Sequence, residues 1–167
     1  EQARSHPPLK AGQEPPTLHS MYPLRALSFL GLALLLGACA TNPVTGRQEL
    51  VFMSPEREAA QGRDAAAQVE REIGLVRDPK LTAYVEQIGQ RLAKHSPRHD
   101  VAYRFFVADM PEPNAFALPG GYIYVSRGLL ALANSEDELA GVIGHEIGHV
   151  AARHAAQRET RQVGVGI

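Results

Sequence analysis

The chain has 167 residues, a formal net charge of −1 and an ordinary hydrophobic content of 44%. It contains no basic run and no aromatic ladder, so nothing in it predicts binding to nucleic acid. A net charge this close to zero gives no information about partners.

The first two segments are predicted to lie outside the folded domain. Residues 1–20 are polar, rich in proline and do not begin with methionine, so we expect a disordered stretch translated from upstream of the true start. Met21 then opens a secretory signal pattern, in which Arg25 supplies the positive charge and an apolar run extends from 26 to 38. That run is shorter than the ~20 residues that cross a bilayer as a helix. It therefore predicts that residues 21–38 are a signal peptide and not a transmembrane helix.

The apolar run ends at a candidate lipid attachment site. The sequence Leu-Gly-Ala-Cys at 36–39 resembles the bacterial lipobox, in which the cysteine receives diacylglycerol and becomes the new N-terminus. Cys39 is the only cysteine, so it cannot form a disulfide within the chain, and the alternative is a buried free thiol. We predict that Cys39 is lipidated. Because Ala40 is not the aspartate that retains enterobacterial-type lipoproteins in the inner membrane, the expected location is the outer membrane, facing the periplasm.

Residues 39–53, which carry Asn-Pro and Thr-Gly turn signals, are predicted as a tether.

Two scaffold helices are predicted next. The first starts with Ser54 as its N-cap and Pro55 at its first position, and it runs through alanine-rich sequence to a stop near Gly74. The pair Asp78-Pro79 repeats the same start signal for the second helix. Apolar residues recur at helical spacing along this second helix: Leu81, Val85, Ile88 and Leu92.

Three extended segments follow, separated by turn signals. The predicted strands are 101–108, 114–118 and 122–126. Two prolines break the chain after the first strand, and Pro-Gly-Gly turns it between the last two. A short helix over about 127–133 leads to the next segment. We therefore expect an α+β fold, in which a small antiparallel sheet packs beside the helix described next.

That helix is predicted to start at a capping box. Ser135 and Glu138 have the S-x-x-E spacing in which two side chains satisfy the first backbone N–H groups of a helix. An apolar stripe then follows at helical spacing: Leu139, Ile143, Ile147 and Val150.

The same helix carries the sequence His-Glu-Ile-Gly-His at 145–149. Since residues four apart share a helical face, His145 and His149 can direct their imidazoles to one metal ion. Glu146 is turned by about 100° around the axis, where it can reach a metal-bound water without ligating the metal. The alternative is a pair of buried or surface histidines without a chemical role.

The predicted site is incomplete. A catalytic zinc needs three protein ligands and a water, and two ligands are evident. A metzincin would place a glycine and a histidine where Ala152 and Ala155 stand, which excludes that class. In a continuous helix His154 would lie on the face opposite His145, and Glu159 would lie about 15 Å along the axis from the motif. Nothing in the spacing of four further residues assigns them a role: His95, His99, Asp109 and Glu112.

Several sequence motifs resemble, in their order and spacing, those of a known family. These motifs are Asn-Pro-Val-Thr-Gly-Arg at 42–47, Asn-Ala-Phe-Ala-Leu-Pro-Gly-Gly at 114–121 and His-Glu-Ile-Gly-His-Val-Ala-Ala-Arg-His at 145–154. The segment Ser-Glu-Asp-Glu-Leu-Ala-Gly-Val-Ile-Gly at 135–144 leads into the last of them. Together they are similar to peptidase family M48, zinc metallopeptidases of the HtpX, BepA and CAAX prenyl protease type. The resemblance covers roughly residues 42–160.

The resemblance implies a zincin-like fold and one Zn²⁺ per chain, held by His145, His149 and a glutamate from a later helix. Because the chain stops at Ile167, residues 54–167 are expected to be the N-terminal part of a truncated metallopeptidase domain. The resemblance also implies that one extended segment borders the cleft, where a strand edge can pair with a substrate backbone. The residues concerned are Asn114, Ala115, Phe116 and Ala117, and the alternative is an ordinary sheet strand.

The function expected on these grounds is that of a zinc metalloendopeptidase. Glu146 would be its general base, and its substrates would be misfolded or misassembled envelope polypeptides. One alternative is a zinc-binding periplasmic lipoprotein with a chaperone-like role and little proteolysis. Another keeps the metal but hydrolyses something other than peptides. The expected partners are polypeptide substrates and, through the lipid anchor, a membrane.

Overall fold

The computed structural model describes residues 39–50 and 53–165. The predicted disordered stretch 1–20 and signal peptide 21–38 lie outside the described residues. The strands are β1 (Cys39–Thr41), β2 (Gln48–Leu50), β3 (Arg104–Ala108), β4 (Ala115–Leu118) and β5 (Tyr122–Ser126). The helices are α1 (Pro55–Glu72), α2 (Pro79–Ala93), α3 (Arg127–Leu132), α4 (Glu136–Ala151) and α5 (His154–Val165), and a 3₁₀ turn (Pro119–Gly121) joins β4 to β5. In the part of the chain described, none of the helices combines the length and apolar character that crossing a membrane requires.

Helices α1, α2 and α4 begin where the sequence predicts. In each, the N-cap side chain accepts a backbone N–H from the first turn: Ser54 from Arg57, Asp78 from Lys80 and Leu81, and Ser135 from Glu138. These bonds satisfy donors that the start of a helix otherwise leaves without a partner. Helix α1 also ends as predicted, because Gly74 adopts a φ of 83° and its N–H donates to the carbonyl of Val69 at 3.1 Å.

Strands β3, β4 and β5 form a mixed sheet in the order β3-β5-β4. β4 pairs with β5 in antiparallel fashion, with Ala115 opposite Val125, but β3 pairs with β5 in parallel. The predicted α+β fold is confirmed, whereas the prediction of a purely antiparallel sheet is wrong. The reason is burial: Ile123, Tyr124 and Val125 are all 0% exposed, which places β5 between the other two strands. The chain reverses before β4 and again before β5, so β3 and β5 run in the same direction.

Helices cover both faces of this sheet. Along β5, Ile123 and Val125 pack into one hydrophobic cluster with α2 and α4, whereas Tyr124 packs into a second cluster with Ala66 of α1. The predicted apolar stripe of α4 is buried in the first cluster: Leu139, Ile143, Ile147 and Val150. Helix α4 is therefore held against the sheet by this stripe, which leaves its histidine-bearing side available.

Strands β1 and β2 form a hairpin within the segment predicted as a tether. Its turn is closed by Asn42, whose Oδ1 accepts the N–H of Val44 at 2.9 Å, and Gly46 adopts a φ of 67°. The Nδ2 of Asn42 also donates to the carbonyl of Ala152, just past the end of α4, at 3.4 Å. The turn signals of this segment thus serve a hairpin that contacts the motif helix.

Helix α1 packs directly against the 3₁₀ turn. Gly62 of α1 is buried, and a Cβ at this position would overlap the carbonyl oxygen of Pro119. Glycine permits this approach because it has no side chain. The helix and the turn between β4 and β5 are therefore in backbone contact.

Candidate metal centre

His145, Glu146 and His149 lie together on α4. One ligand atom from each lies within 4.8 Å of the others, and the two imidazole rings meet edge to face with centroids 4.5 Å apart. The grouping follows from the helical repeat, which puts residues four apart on one face. Within residues 39–50 and 53–165, this is the one group of three or more His, Cys, Asp or Glu side chains placed to hold a metal ion.

The donor chemistry of this group fits a transition metal. Two ring nitrogens with a neighbouring carboxylate are ligand types that zinc accepts. His145 is exposed and His149 is half-buried, so both rings can be reached from outside the core. Glu146 is 7% exposed and lines the same cavity as strand β4.

Glu146 and His149 line a cavity of about 220 Å³. Its other walls are β4 with Pro119, the start of α5 with His154, and Glu58 of α1. The cavity therefore places the carboxylate of Glu146 beside a strand of the sheet.

Strand β4 is the edge of the sheet at this cavity. It pairs with β5 on one side, and the described residues supply no strand on the other. Ala115, Phe116 and Ala117, three of the predicted substrate-contacting residues, are half-buried and line the cavity. Asn114 precedes the strand, and its backbone is bound to Ser126: its N–H donates to the Oγ and its carbonyl accepts the N–H, both at 2.9 Å.

The motif helix ends sooner than the sequence predicts. Helix α4 stops at Ala151, Arg153 adopts a left-handed φ of 55°, and α5 begins at His154. The prediction that His154 lies on the opposite face of one continuous helix is therefore wrong. Its Nδ1 is 2.6 Å from the Nδ1 of His149, and the two ring centroids are 4.9 Å apart. No glycine or proline marks the break, so the local sequence carries no signal for it.

The remaining candidates lie outside the metal-binding group. Glu159 of α5 instead contacts α1, where its carboxylate accepts from Arg57 at 3.1 Å and from Gln61 at 3.3 Å. Four further residues are also not part of the group: His95, His99, Asp109 and Glu112.

A buried ion cluster lies next to the break between α4 and α5. Glu58, whose side chain is 5% exposed, pairs with Arg98 at 3.3 Å and with Arg153 at 3.1 Å. Arg98 also pairs with Asp100 at 2.8 Å and donates to the carbonyl of Val150 at 3.5 Å. The hydrogen bond from Arg98 outweighs partial burial and lowers the pKa of Asp100. Burial opposes the charge on Arg98, but its two carboxylate partners raise the pKa of Arg98 above its ordinary value.

Comparison with known proteins gives the family of the chain. A family model described as Peptidase family M48 matches residues 79–166, which contain the sheet and the candidate metal ligands. The chain is 34% identical over 119 residues to the mitochondrial metalloendopeptidase OMA1 of Schizosaccharomyces pombe, a match that covers 70% of this chain and 35% of that protein.

Two bacterial relatives carry the name beta-barrel assembly-enhancing protease. That of Escherichia coli K12 is 33% identical over 117 residues, covering 70% of this chain and 24% of the relative. That of Yersinia pestis is 32% identical over 128 residues, covering 77% of this chain and 26% of the relative. The chain thus spans about a quarter to a third of the length of these three relatives. Since the family model matches more than half of the chain and includes the motif helix, the predicted resemblance is confirmed, and the chain belongs to peptidase family M48.

Proposed function

We propose that the full-length protein is a zinc-dependent metalloendopeptidase that hydrolyses peptide bonds in misfolded or misassembled envelope proteins. The observation that carries the proposal is the group of His145, Glu146 and His149 beside a cavity with a strand edge. Membership of a peptidase family, and the words metalloendopeptidase and protease in the names of its relatives, support the same chemistry. The relatives named for beta-barrel assembly are the support for substrates that arise during protein assembly in the envelope.

Zinc is the proposed metal, and His145 and His149 would hold it through their ring nitrogens. When bound, zinc lowers the pKa of a coordinated water to about 7 and polarises the carbonyl of the scissile peptide. A catalytic site needs a third protein ligand. Following the family pattern, we propose a glutamate from a segment beyond Ile167 for that position.

Glu146 would act as the general base. It follows His145 in the chain and is turned by about 100° around the helix, so its carboxylate lies in the cavity wall. There it would accept a proton from the water that attacks the scissile carbonyl. It would then return this proton to the amine that leaves as the C–N bond breaks.

The edge of β4 would hold the substrate in an extended conformation. A peptide added to this edge would bond mainly through its backbone, which suits recognition of many different sequences. The presence of Ala115, Phe116 and Ala117 in the wall of the same cavity as Glu146 supports this arrangement. A peptide bond bound along β4 would then lie near the general base.

Metal removal tests the proposal. After treatment with 1,10-phenanthroline, the full-length protein should lose cleavage of an unfolded protein substrate, and added zinc should restore it. His149→Ala should lose zinc and activity together, because it removes a ligand, whereas His95→Ala at an exposed position outside the metal-binding group should retain both. Zinc content is measured by elemental analysis of the purified proteins. Undiminished cleavage by the metal-free protein would rule out a metallopeptidase.

We also propose that Cys39 carries a lipid that anchors the protein in the outer membrane, facing the periplasm. The support is the lipobox-like sequence at 36–39 and the signal pattern before it. Expressed in a bacterium with its signal intact, the wild-type protein should sediment with membranes, and Cys39→Ala should accumulate unprocessed or appear in the soluble fraction. Normal processing and equal membrane partitioning of the variant would exclude lipidation at this residue.

A further inference from the structure

The turn between α4 and α5 has an unusual backbone conformation. Arg153 is the one non-glycine residue of the described chain with a positive φ, at 55°. Residues with a Cβ rarely adopt a positive φ, and this conformation persists where the surrounding structure enforces it. Such positions cluster at functional sites, and this one lies four residues after His149.

Contacts from four separate segments enforce the conformation. The Nη2 of Arg153 donates to the carbonyl of Met53 at 2.7 Å and pairs with Glu58 at 3.1 Å. The carbonyl of Ala152 accepts from Asn42 at 3.4 Å and from Gln157 at 2.8 Å. The turn is therefore fixed by the hairpin, by Met53 just before the N-cap of α1, by α1 itself and by α5.

The consequence of this turn is the position of His154. A continuous helix would carry its ring away from the metal-binding face, but the turn brings its Nδ1 to 2.6 Å from the Nδ1 of His149. Two ring nitrogens at this distance share one proton, so one of them donates and the other accepts. If His149 donates, its Nε2 keeps a lone pair that can bind a metal. If His149 accepts, its Nε2 carries the proton instead and cannot bind a metal.

We propose that His154 is a positioning residue for the metal site. It accepts the Nδ1–H of His149 and thereby fixes the ring orientation and the tautomer that leaves the Nε2 of His149 available to zinc. Histidines that bind metals commonly donate their second ring N–H to a carboxylate, a backbone carbonyl or a water, and the Nδ1 of His154 would serve as the acceptor in their place. The inference rests on the proposed function only in assigning His149 as a zinc ligand, and it does not depend on what the protein hydrolyses.

Zinc affinity of the full-length protein tests the role. Competition between the protein and a fluorescent zinc chelator should show binding that is about 10–100-fold weaker in His154→Ala than in the wild type, as is typical when such a partner is removed. His154→Asn should restore affinity to within a few fold, because the amide oxygen of asparagine can accept a hydrogen bond near the position of Nδ1. His95→Ala, which removes an exposed histidine from another part of the fold, should bind as the wild type does.

Two spectroscopic measurements separate positioning from other roles. Nitrogen-15 NMR of the zinc-bound protein should show His149 protonated at Nδ1, and X-ray absorption should show two imidazole ligands on zinc. Three imidazole ligands would make His154 a ligand itself and would overturn the inference.

Equal zinc affinity of wild type and His154→Ala would overturn it too, as would equal losses of zinc affinity in the alanine and asparagine variants. A wild-type protein that binds zinc but cleaves no polypeptide would refute the proposed function and leave this inference standing, whereas failure of the wild type to bind zinc would refute both.

Discussion

Glu146→Gln is expected to reduce proteolysis by about 10²–10⁴-fold while the zinc content of the protein remains unchanged. Glutamine keeps the size and shape of the side chain but cannot accept a proton from water at neutral pH. Since Glu146 is not one of the proposed zinc ligands, the metal should stay bound. The measurement is the initial rate of cleavage of an unfolded protein by full-length protein, with zinc measured on the same preparation.

A matched control comes from the same helix. Asp137→Asn makes the same carboxylate-to-amide change at an exposed position in the first turn of α4, two turns or more from the histidines. It should leave both the rate and the zinc content at the wild-type level. If Glu146→Gln cleaved as fast as the wild type, Glu146 would not be the base. If the wild type and Glu146→Gln both bound polypeptides but neither cleaved them, the chaperone-like alternative would be favoured.

Glu58→Gln is expected to lower the free energy of unfolding by about 3 kcal/mol, the lower end of what removing one partner from a buried ion pair costs. The change leaves Arg98 and Arg153 facing a neutral amide, and their side chains are only 7% and 15% exposed. Asp100 still pairs with Arg98, whereas Arg153 loses the carboxylate that lies 3.1 Å from its Nη2. Urea unfolding of the full-length protein, followed by circular dichroism, measures the difference.

The comparison for this prediction is Glu56→Gln, a fully exposed carboxylate in the same first turn of α1. It should leave the free energy of unfolding close to the wild-type value, because solvent screens the charge of an exposed carboxylate. A loss for Glu58→Gln as small as that for Glu56→Gln would mean that water replaces the missing carboxylate in the cluster.

The parts of the fold that local sequence determines were predictable. Ser54, Asp78 and Ser135 mark helix starts because a short polar side chain can accept the first N–H groups of a helix, whatever surrounds it. The apolar stripe of α4 is likewise a property of spacing alone. The direction of β3 was not predictable in this way, because it depends on which strand takes the most buried position in the sheet.

The candidate site shows the same division. His145, Glu146 and His149 come together because they occupy adjacent turns of one helix, so their spacing is sufficient to predict their proximity. The contact of His154 with His149 depends instead on a left-handed arginine. That conformation is stabilised by residues about a hundred positions earlier in the chain, and a pattern within one helix contains no information about them.

The contact between Gly62 and Pro119 links the choice of residue at position 62 of α1 to the shape of the cavity. A glycine inside a helix is less favourable than alanine by roughly 0.5–1 kcal/mol, so its presence in α1 is not explained by the helix. Pro119 belongs to the wall of the cavity that also contains Glu146, and a methyl group at position 62 would displace that wall. The residue permitted at position 62 is thus decided by the width of a cleft whose proposed chemistry lies on a different helix.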